Sequence, residues 1–113
     1  ASTVSGAAIV ARARVYIVGH ALHAPTPDEV AGALHVSRRL LDKRFRALTD
    51  GTVASLIREA RLKLLKAQLI RHRKRPIAVL THELGYPNPR AVKNLFRKTF
   101  GLTMRAWRRQ NQT

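Results

Sequence analysis

Apolar residues recur along most of this chain at steps of three and four, the spacing that puts them on one face of an α-helix. Ile9, Ala13, Tyr16 or Ile17, and His20 predict a first helix from about Ala7 to His20. Ala1 to Gly6 are small and polar and read as a linker. The run His20-Ala21-Leu22-His23-Ala24-Pro25 breaks the pattern. Thr26-Pro27-Asp28-Glu29 restarts it. Thr26 can cap, Pro27 suits the first helical position and Glu29 completes a capping box. The short helix that follows carries Val30, Ala31 and Leu34 on one side. A turn at His35-Val36 leads to Ser37, a second cap, and a basic helix to about Thr49 with Leu40, Leu41, Phe45 and Leu48 as its apolar face.

Asp50-Gly51 ends that helix. Thr52 to about His72 predicts the longest one, roughly 30 Å at 1.5 Å per residue. It has two apolar stripes: Val53, Ile57, Ala60, Leu64 and Ala67, and Leu62, Leu65 and Leu69. A helix apolar on two sides is usually buried on two sides, so it reads as a strut between two packed halves. Arg71-His72-Arg73-Lys74-Arg75-Pro76 is a basic turn, and Ile77 to Leu84 a short helix. After Gly85-Tyr86-Pro87, Asn88 caps and Pro89 opens a helix to about Phe100, with Val92, Leu95 and Phe96 inward. Gly101 closes it, and Thr103 caps a last short helix carrying Ala106 and Trp107. No segment alternates with the period of a strand. The expectation is an all-α fold of about seven helices: a domain over residues 7–113, in which halves 7–51 and 73–113 are joined by a long central helix over 52–72.

The two halves repeat. With Ser37 aligned on Asn88, an offset of 51, Leu41 falls on Val92, Phe45 on Phe96 and Arg46 on Arg97. Upstream, Val30-Ala31 falls near Leu80-Thr81, with one extra residue in the second copy. Each copy is a short helix, a tight turn, a cap and a longer basic helix. That is the helix-turn-helix plan, in which the second helix enters the DNA major groove.

Charge supports a polyanionic partner. The 113 residues include 22 Lys plus Arg against 6 Asp plus Glu, a formal net charge of +16. Sixteen of the basic residues are Arg, whose planar fork of donors suits phosphates and base edges. Charge alone does not choose among DNA, RNA and an anionic membrane. There is no cysteine, which excludes disulfides and Cys-containing zinc sites and fits a reducing cytoplasm. No apolar run approaches ~18 residues, so no membrane span is expected. The opening Ala1-Ser2-Thr3, without Met, reads as part of a longer protein. His20 and His23 are three apart but lack a third ligand at suitable spacing, so no metal site is expected. No nucleophile, base and orienting acid occur together, and no Gly-rich phosphate loop is present, so neither enzyme activity nor a cofactor is expected.

The sequence resembles the DNA-binding half of AraC/XylS-type bacterial transcription regulators. In the first half the resemblance lies in Val30-Ala31 through Val36-Ser37 to Leu41-Asp42-Lys43-Arg44-Phe45, with Arg61-Leu62 where the family's linking helix has Arg-Leu. The second half matches more closely: Pro76-Ile77, Leu84-Gly85-Tyr86-Pro87-Asn88-Pro89, Lys93-Asn94-Leu95-Phe96-Arg97-Lys98, Phe100-Gly101-Leu102-Thr103 and Ala106-Trp107-Arg108. The resemblance covers about Ile9 to Arg109. It implies seven helices, transcription regulation, and an effector or sensor domain elsewhere in the full protein. Departures are Asp50 for a usual Gly, Thr81 for Ala, Met104 for Pro and Trp107 for Tyr. Asp tolerates a left-handed backbone better than most residues, so the turn at Asp50-Gly51 is expected to shift rather than fail.

Helix geometry leaves Arg38, Arg39, Asp42, Lys43 and Arg46 on the outer face of the first basic helix, and Arg90, Ala91, Lys93, Asn94 and Arg97 on that of the second. The resemblance places base contacts at Arg39, Asp42 and Lys43 and at Arg90, Ala91 and Asn94. Arg and Lys can donate to guanine, Asp can accept from cytosine, Asn can bridge adenine and Ala can touch a thymine methyl. Asp42 has a second reading, as the ion-pair partner of Arg38, Arg39 or Arg46. Arg38, Arg46, Lys93, Arg97 and Lys98 are phosphate candidates, with the N–H groups at the Ser37 and Asn88 helix starts. Arg44 is expected to point sideways, toward phosphate or solvent. Phe45, Phe96, Phe100 and Trp107 sit at core spacing and read as packing residues.

The leading expectation is sequence-specific binding of double-stranded DNA, with both basic helices in successive major grooves of an asymmetric operator of about two turns. A structural RNA-binding protein of ribosomal type is the alternative. Readers of single-stranded RNA usually display exposed aromatics, and here aromatics are 5% of residues at inward positions. RNA polymerase is a candidate second partner. The isolated domain is expected to be a monomer in the bacterial cytoplasm, associated with the nucleoid.

Overall fold

The computed structural model of the chain describes residues 6–111, which contain seven α-helices, one short 3₁₀ turn and no β-strand. The helices are α1 (Gly6–Gly19), α2 (Pro27–Ala33), α3 (Arg38–Leu48), α4 (Val53–Arg71), α5 (Ile77–Glu83), α6 (Pro89–Phe100) and α7 (Met104–Gln110), with the 3₁₀ turn at Ala21–His23. The chain forms two compact units that part between Arg61 and Leu62, within α4. The linker expected over 1–6 lies outside the described residues except for Gly6, which is the first residue of α1. A Cβ there would stand 2.9 Å from Arg44 Cδ and 3.1 Å from Leu48 Cδ1, so glycine admits a close approach to α3.

In the first unit α1, α2 and α3 pack on one another. The core takes Ile9, Val10, Ala13 and Ile17 from α1, Val30, Ala31 and Leu34 from α2, and Leu41 and Phe45 from α3. Val53, Ile57 and Ala60 of α4 are buried with this unit. The face expected for α1 holds at Ile9, Ala13 and Ile17 and also includes Val10, while His20 is exposed, stacked on Tyr16 and donating from Nδ1 to the Tyr16 carbonyl at 2.8 Å. Leu48 was expected inward but is 53% exposed: it is the last residue of α3 and meets the start of α1, at Gly6.

In the second unit Leu62, Leu65 and Leu69 of α4 join Leu80 and Leu84, Val92 and Phe96, and Met104 in one core. Leu64 is half-buried against this core and Ala67 is exposed. The two stripes of α4 are therefore each used along only part of the helix, the first up to Ala60 and the second from Leu62. Leu95, expected inward, is exposed at 36%, on the flank of α6 at the edge of the face that buries Val92 and Phe96. Thr81 is buried and satisfies its hydroxyl on the Ala78 carbonyl at 3.0 Å.

The caps define the repeat at atomic detail. Thr26 and Glu29 form the reciprocal capping box, each bond 3.2 Å. Leu34 N–H bonds the carbonyls of Gly32 and Val30, and Leu84 N–H those of His82 and Leu80. Val36 N–H reaches the Ala31 carbonyl, and Tyr86 N–H the Thr81 carbonyl, both at 3.1 Å. The turn residue between them is left-handed in both copies, His35 at φ 58° and Gly85 at φ 83°. Those pairs stand 50 apart, whereas the caps Ser37 and Asn88 stand 51 apart, so Pro87 is the extra residue. At the other end of α3 no left-handed residue occurs at Asp50 or Gly51. Thr49 instead leaves the helix extended, and its hydroxyl donates to the Phe45 carbonyl at 2.7 Å.

Candidate nucleic-acid interface

Each basic helix is fixed by a polar cap and two buried side chains. On α3, Ser37 Oγ accepts from Leu40 N–H at 3.0 Å, and Leu41 and Phe45 are buried. On α6, Asn88 Oδ1 accepts from Arg90 and Ala91 N–H at 3.0 and 3.3 Å, and Val92 and Phe96 are buried. At about 100° per residue, the position opposite the buried pair is Lys43 on α3 and Asn94 on α6. Arg39 and Arg90 lie beside them toward the N-terminus, and Arg46 and Arg97 toward the C-terminus. All six are exposed, as are Ala91, Lys93 and Lys98. Arg39 and Arg90 thus lie in the first turn of their helices, and Arg46 and Arg97 in the second half.

Arg38 and Asp42 differ from their neighbours. Arg38 stands at the position of Pro89, the first residue of its helix, and is held between two carboxylates, Asp28 at 3.2 Å and Asp42 at 3.2 Å. The hydrogen bond that Arg38 donates to Asp28, and then those it donates to Asp42, raise its guanidinium pKa above the ordinary value. Asp42 is half-buried on the flank of α3 with both oxygens within hydrogen-bond reach of Arg38 Nε. Asp28 was not among the residues singled out for this face, because a helix-start Asp already has an explanation in the helix dipole. Arg44, expected to point toward phosphate or solvent, is half-buried over Gly6, with its Nε buried and without a hydrogen-bond partner.

On the second unit several contacts support α6 from behind. Trp107 Nε1 donates to the Lys66 carbonyl at 3.0 Å, and the Lys66 ammonium lies 4.4 Å from the Phe100 ring centre and 4.3 Å from that of Trp107. Arg108 donates to the carbonyls of Leu69, His72 and Arg75 at 2.9, 3.3 and 2.8 Å. It thus satisfies groups that the end of α4 leaves open, and burial lowers its pKa. Arg75 is ion-paired with Glu83. None of the Phe, Tyr or Trp side chains among the described residues is exposed, so none offers a platform for stacking bases. Among the described residues no group of three or more His, Asp or Glu could hold a metal ion, and no helix is long and apolar enough to cross a membrane.

Known proteins share this arrangement. Residues 30–110 match the family described as "Helix-turn-helix domain". The regulatory protein SoxS of Escherichia coli is 36% identical over 76 residues, which cover 67% of this chain and 70% of that protein. A putative AraC-like transcription regulator of Streptomyces antibioticus is 30% identical over 94 residues, 83% of this chain but 31% of that protein. Among solved structures, the xylose-binding transcription activator XylR superposes with a TM-score of 0.81 at 27% identity, over 93% of this chain and 27% of that one. The C-terminal domain of AraT, a response regulator from Geobacillus stearothermophilus, gives 0.78 at 26% identity, over 99% of this chain and 91% of that one. The chain spans less than a third of the Streptomyces relative and of the XylR chain. With seven helices among the described residues, two of them capped and basic, the chain belongs to the AraC/XylS family of helix-turn-helix transcription regulators.

Proposed function

We propose that this chain is the DNA-reading part of a bacterial transcription regulator and that α3 and α6 each enter a major groove, two successive grooves being read by one chain. The observation that carries this is the pair of exposed basic faces, each opposite a buried pair and each on a capped helix, with different residues on each. Arg39 and Lys43 on α3, and Arg90, Ala91 and Asn94 on α6, take the base edges. Ser37, Arg46, Asn88, Lys93, Arg97 and Lys98 take phosphates, which set register without carrying sequence information. Arg38 is already neutralised by two carboxylates and serves as a weaker phosphate contact. Asp42, engaged by Arg38, orients that guanidinium rather than reading cytosine. Because the two faces differ, the operator is asymmetric and spans about two turns.

The same reading includes a sensor domain elsewhere in the full protein, supported by the greater length of the Streptomyces and XylR relatives, and RNA polymerase as a second partner. The test is selection of bound sequences from a random duplex pool, with structured RNA and single strands as competitors. Two unlike motifs on one face of the duplex are expected, with poor competition by RNA. Enrichment of one motif or a palindrome, or stronger competition by RNA, would contradict the reading.

A further inference from the structure

The second unit carries a groove of about 940 Å³ along the flank of α6, bounded by the starts of α5 and α7. Lys93 and Arg97 of α6 and Arg105 of α7 line it, over a floor that includes Val92 and Met104. No carboxylate lines it. Arg105 is exposed, while its neighbour Arg108 is committed to backbone carbonyls.

The repeat makes this groove informative. The offset of 51 continues past the recognition helices: Thr103, which caps α7 through Ala106 N–H at 3.1 Å, falls on Thr52, which accepts from Ser55 N–H at 3.1 Å at the start of α4. Met104 then falls on Val53, and both are buried. The equivalent positions of the two units can therefore be compared for charge. Where the second unit has Arg105, the first has Ala54; where it has Lys93, the first has Asp42. Ala78 lines the groove at the start of α5, and its counterpart, 50 residues earlier, is Asp28. Only Arg97 has a cation, Arg46, at its counterpart. One copy thus presents Lys93, Arg97 and Arg105 with no acid, whereas the other presents Arg46 together with two carboxylates bound to Arg38.

We propose that α7 belongs to the DNA interface, and that Arg105 grips a backbone phosphate of its own beside the half-site read by α6, next to the phosphates that Lys93 and Arg97 hold from across the groove. The first unit has no such grip. The anchoring of the chain is therefore lopsided, with the second unit supplying more of the salt-sensitive affinity than the first. This rests on the DNA-binding reading above.

The experiment measures affinity against salt for the whole chain on a duplex carrying the selected site and on a scrambled duplex of equal length, for wild type, Arg105→Gln, Arg105→Lys and Asn94→Ala. Each neutralised phosphate contributes about 0.9 to the slope of log affinity against log salt. Arg105→Gln is expected to lower that slope by about one on both duplexes, leave base preference unchanged, and abolish ethylation interference at one phosphate flanking the α6 half-site. Arg105→Lys should keep the slope. Asn94→Ala should change base preference and keep the slope. A wild-type slope and interference pattern in Arg105→Gln, with an unchanged melting temperature, would overturn the proposal. Failure of Asn94→Ala to alter base preference would instead count against the assignment of α6 as a reader.

Discussion

Lys43 and Asn94 occupy the same place on two helices and differ in what they can recognise. An ammonium is a point donor suited to guanine, whereas a side-chain amide can donate and accept at once and suits adenine. We expect Arg39→Ala and Asn94→Ala each to cost on the order of 1–3 kcal/mol on the preferred site and to relax specificity at different base pairs. Arg97→Ala should weaken binding to all sequences about equally, and titrations on matched and mismatched duplexes distinguish the two patterns. A second prediction concerns the turn of the first unit. His35 is left-handed at φ 58°, where the second copy has Gly85. A side chain in that region costs roughly 1–2 kcal/mol, partly offset in glycine by chain entropy. His35→Gly should therefore stabilise the protein by about 0.5–1 kcal/mol in urea denaturation. At this scale the caps Thr26, Ser37, Asn88 and Thr103 were legible in the sequence, because their bonds close within three residues. The ties of Arg38 to Asp28 and of Arg108 to the end of α4 were not, since they join residues ten or more apart that only the fold brings together.

Among the elements α4 carries the sharpest test. Leu65 is fully buried in the second core, while Leu64 only half-faces it. An unpaired charge buried in apolar surroundings costs several kcal/mol, comparable with the whole stability of a small domain. Leu65→Asp is expected to abolish cooperative melting or lower the melting temperature severely, and Leu64→Asp to do so far less, because its carboxylate can reach water. Equal melting temperatures for both variants and wild type would mean that the helix does not build this core. Periodicity located all seven helices, and it erred where a helix runs past its cover. Leu48, Leu95, Ala67 and His20 fit the apolar stripes but lie at ends or flanks that neighbouring elements leave largely or partly uncovered. A three-to-four spacing states which residues share a face; how far that face is covered depends on packing partners distant in sequence. The same limit hid the division of labour along α4, where two stripes suggested burial on two sides and the structure uses each in its own half.

For the whole molecule, a net charge of +16 on 113 residues implies that binding is coupled to counterion release. If about six to ten phosphates are neutralised, affinity should fall by about 10³ to 10⁵ between 50 and 200 mM salt. A nearly flat titration would remove the electrostatic basis of the account. The central claim is that one chain reads two half-sites with two unlike helices. It is tested most directly by inserting about five base pairs between the half-sites once selection has defined them, since half a turn of B-DNA carries the second groove to the opposite face. The account predicts that specific affinity then drops to that of a duplex carrying one half-site alone. Full affinity retained on the expanded site would contradict it.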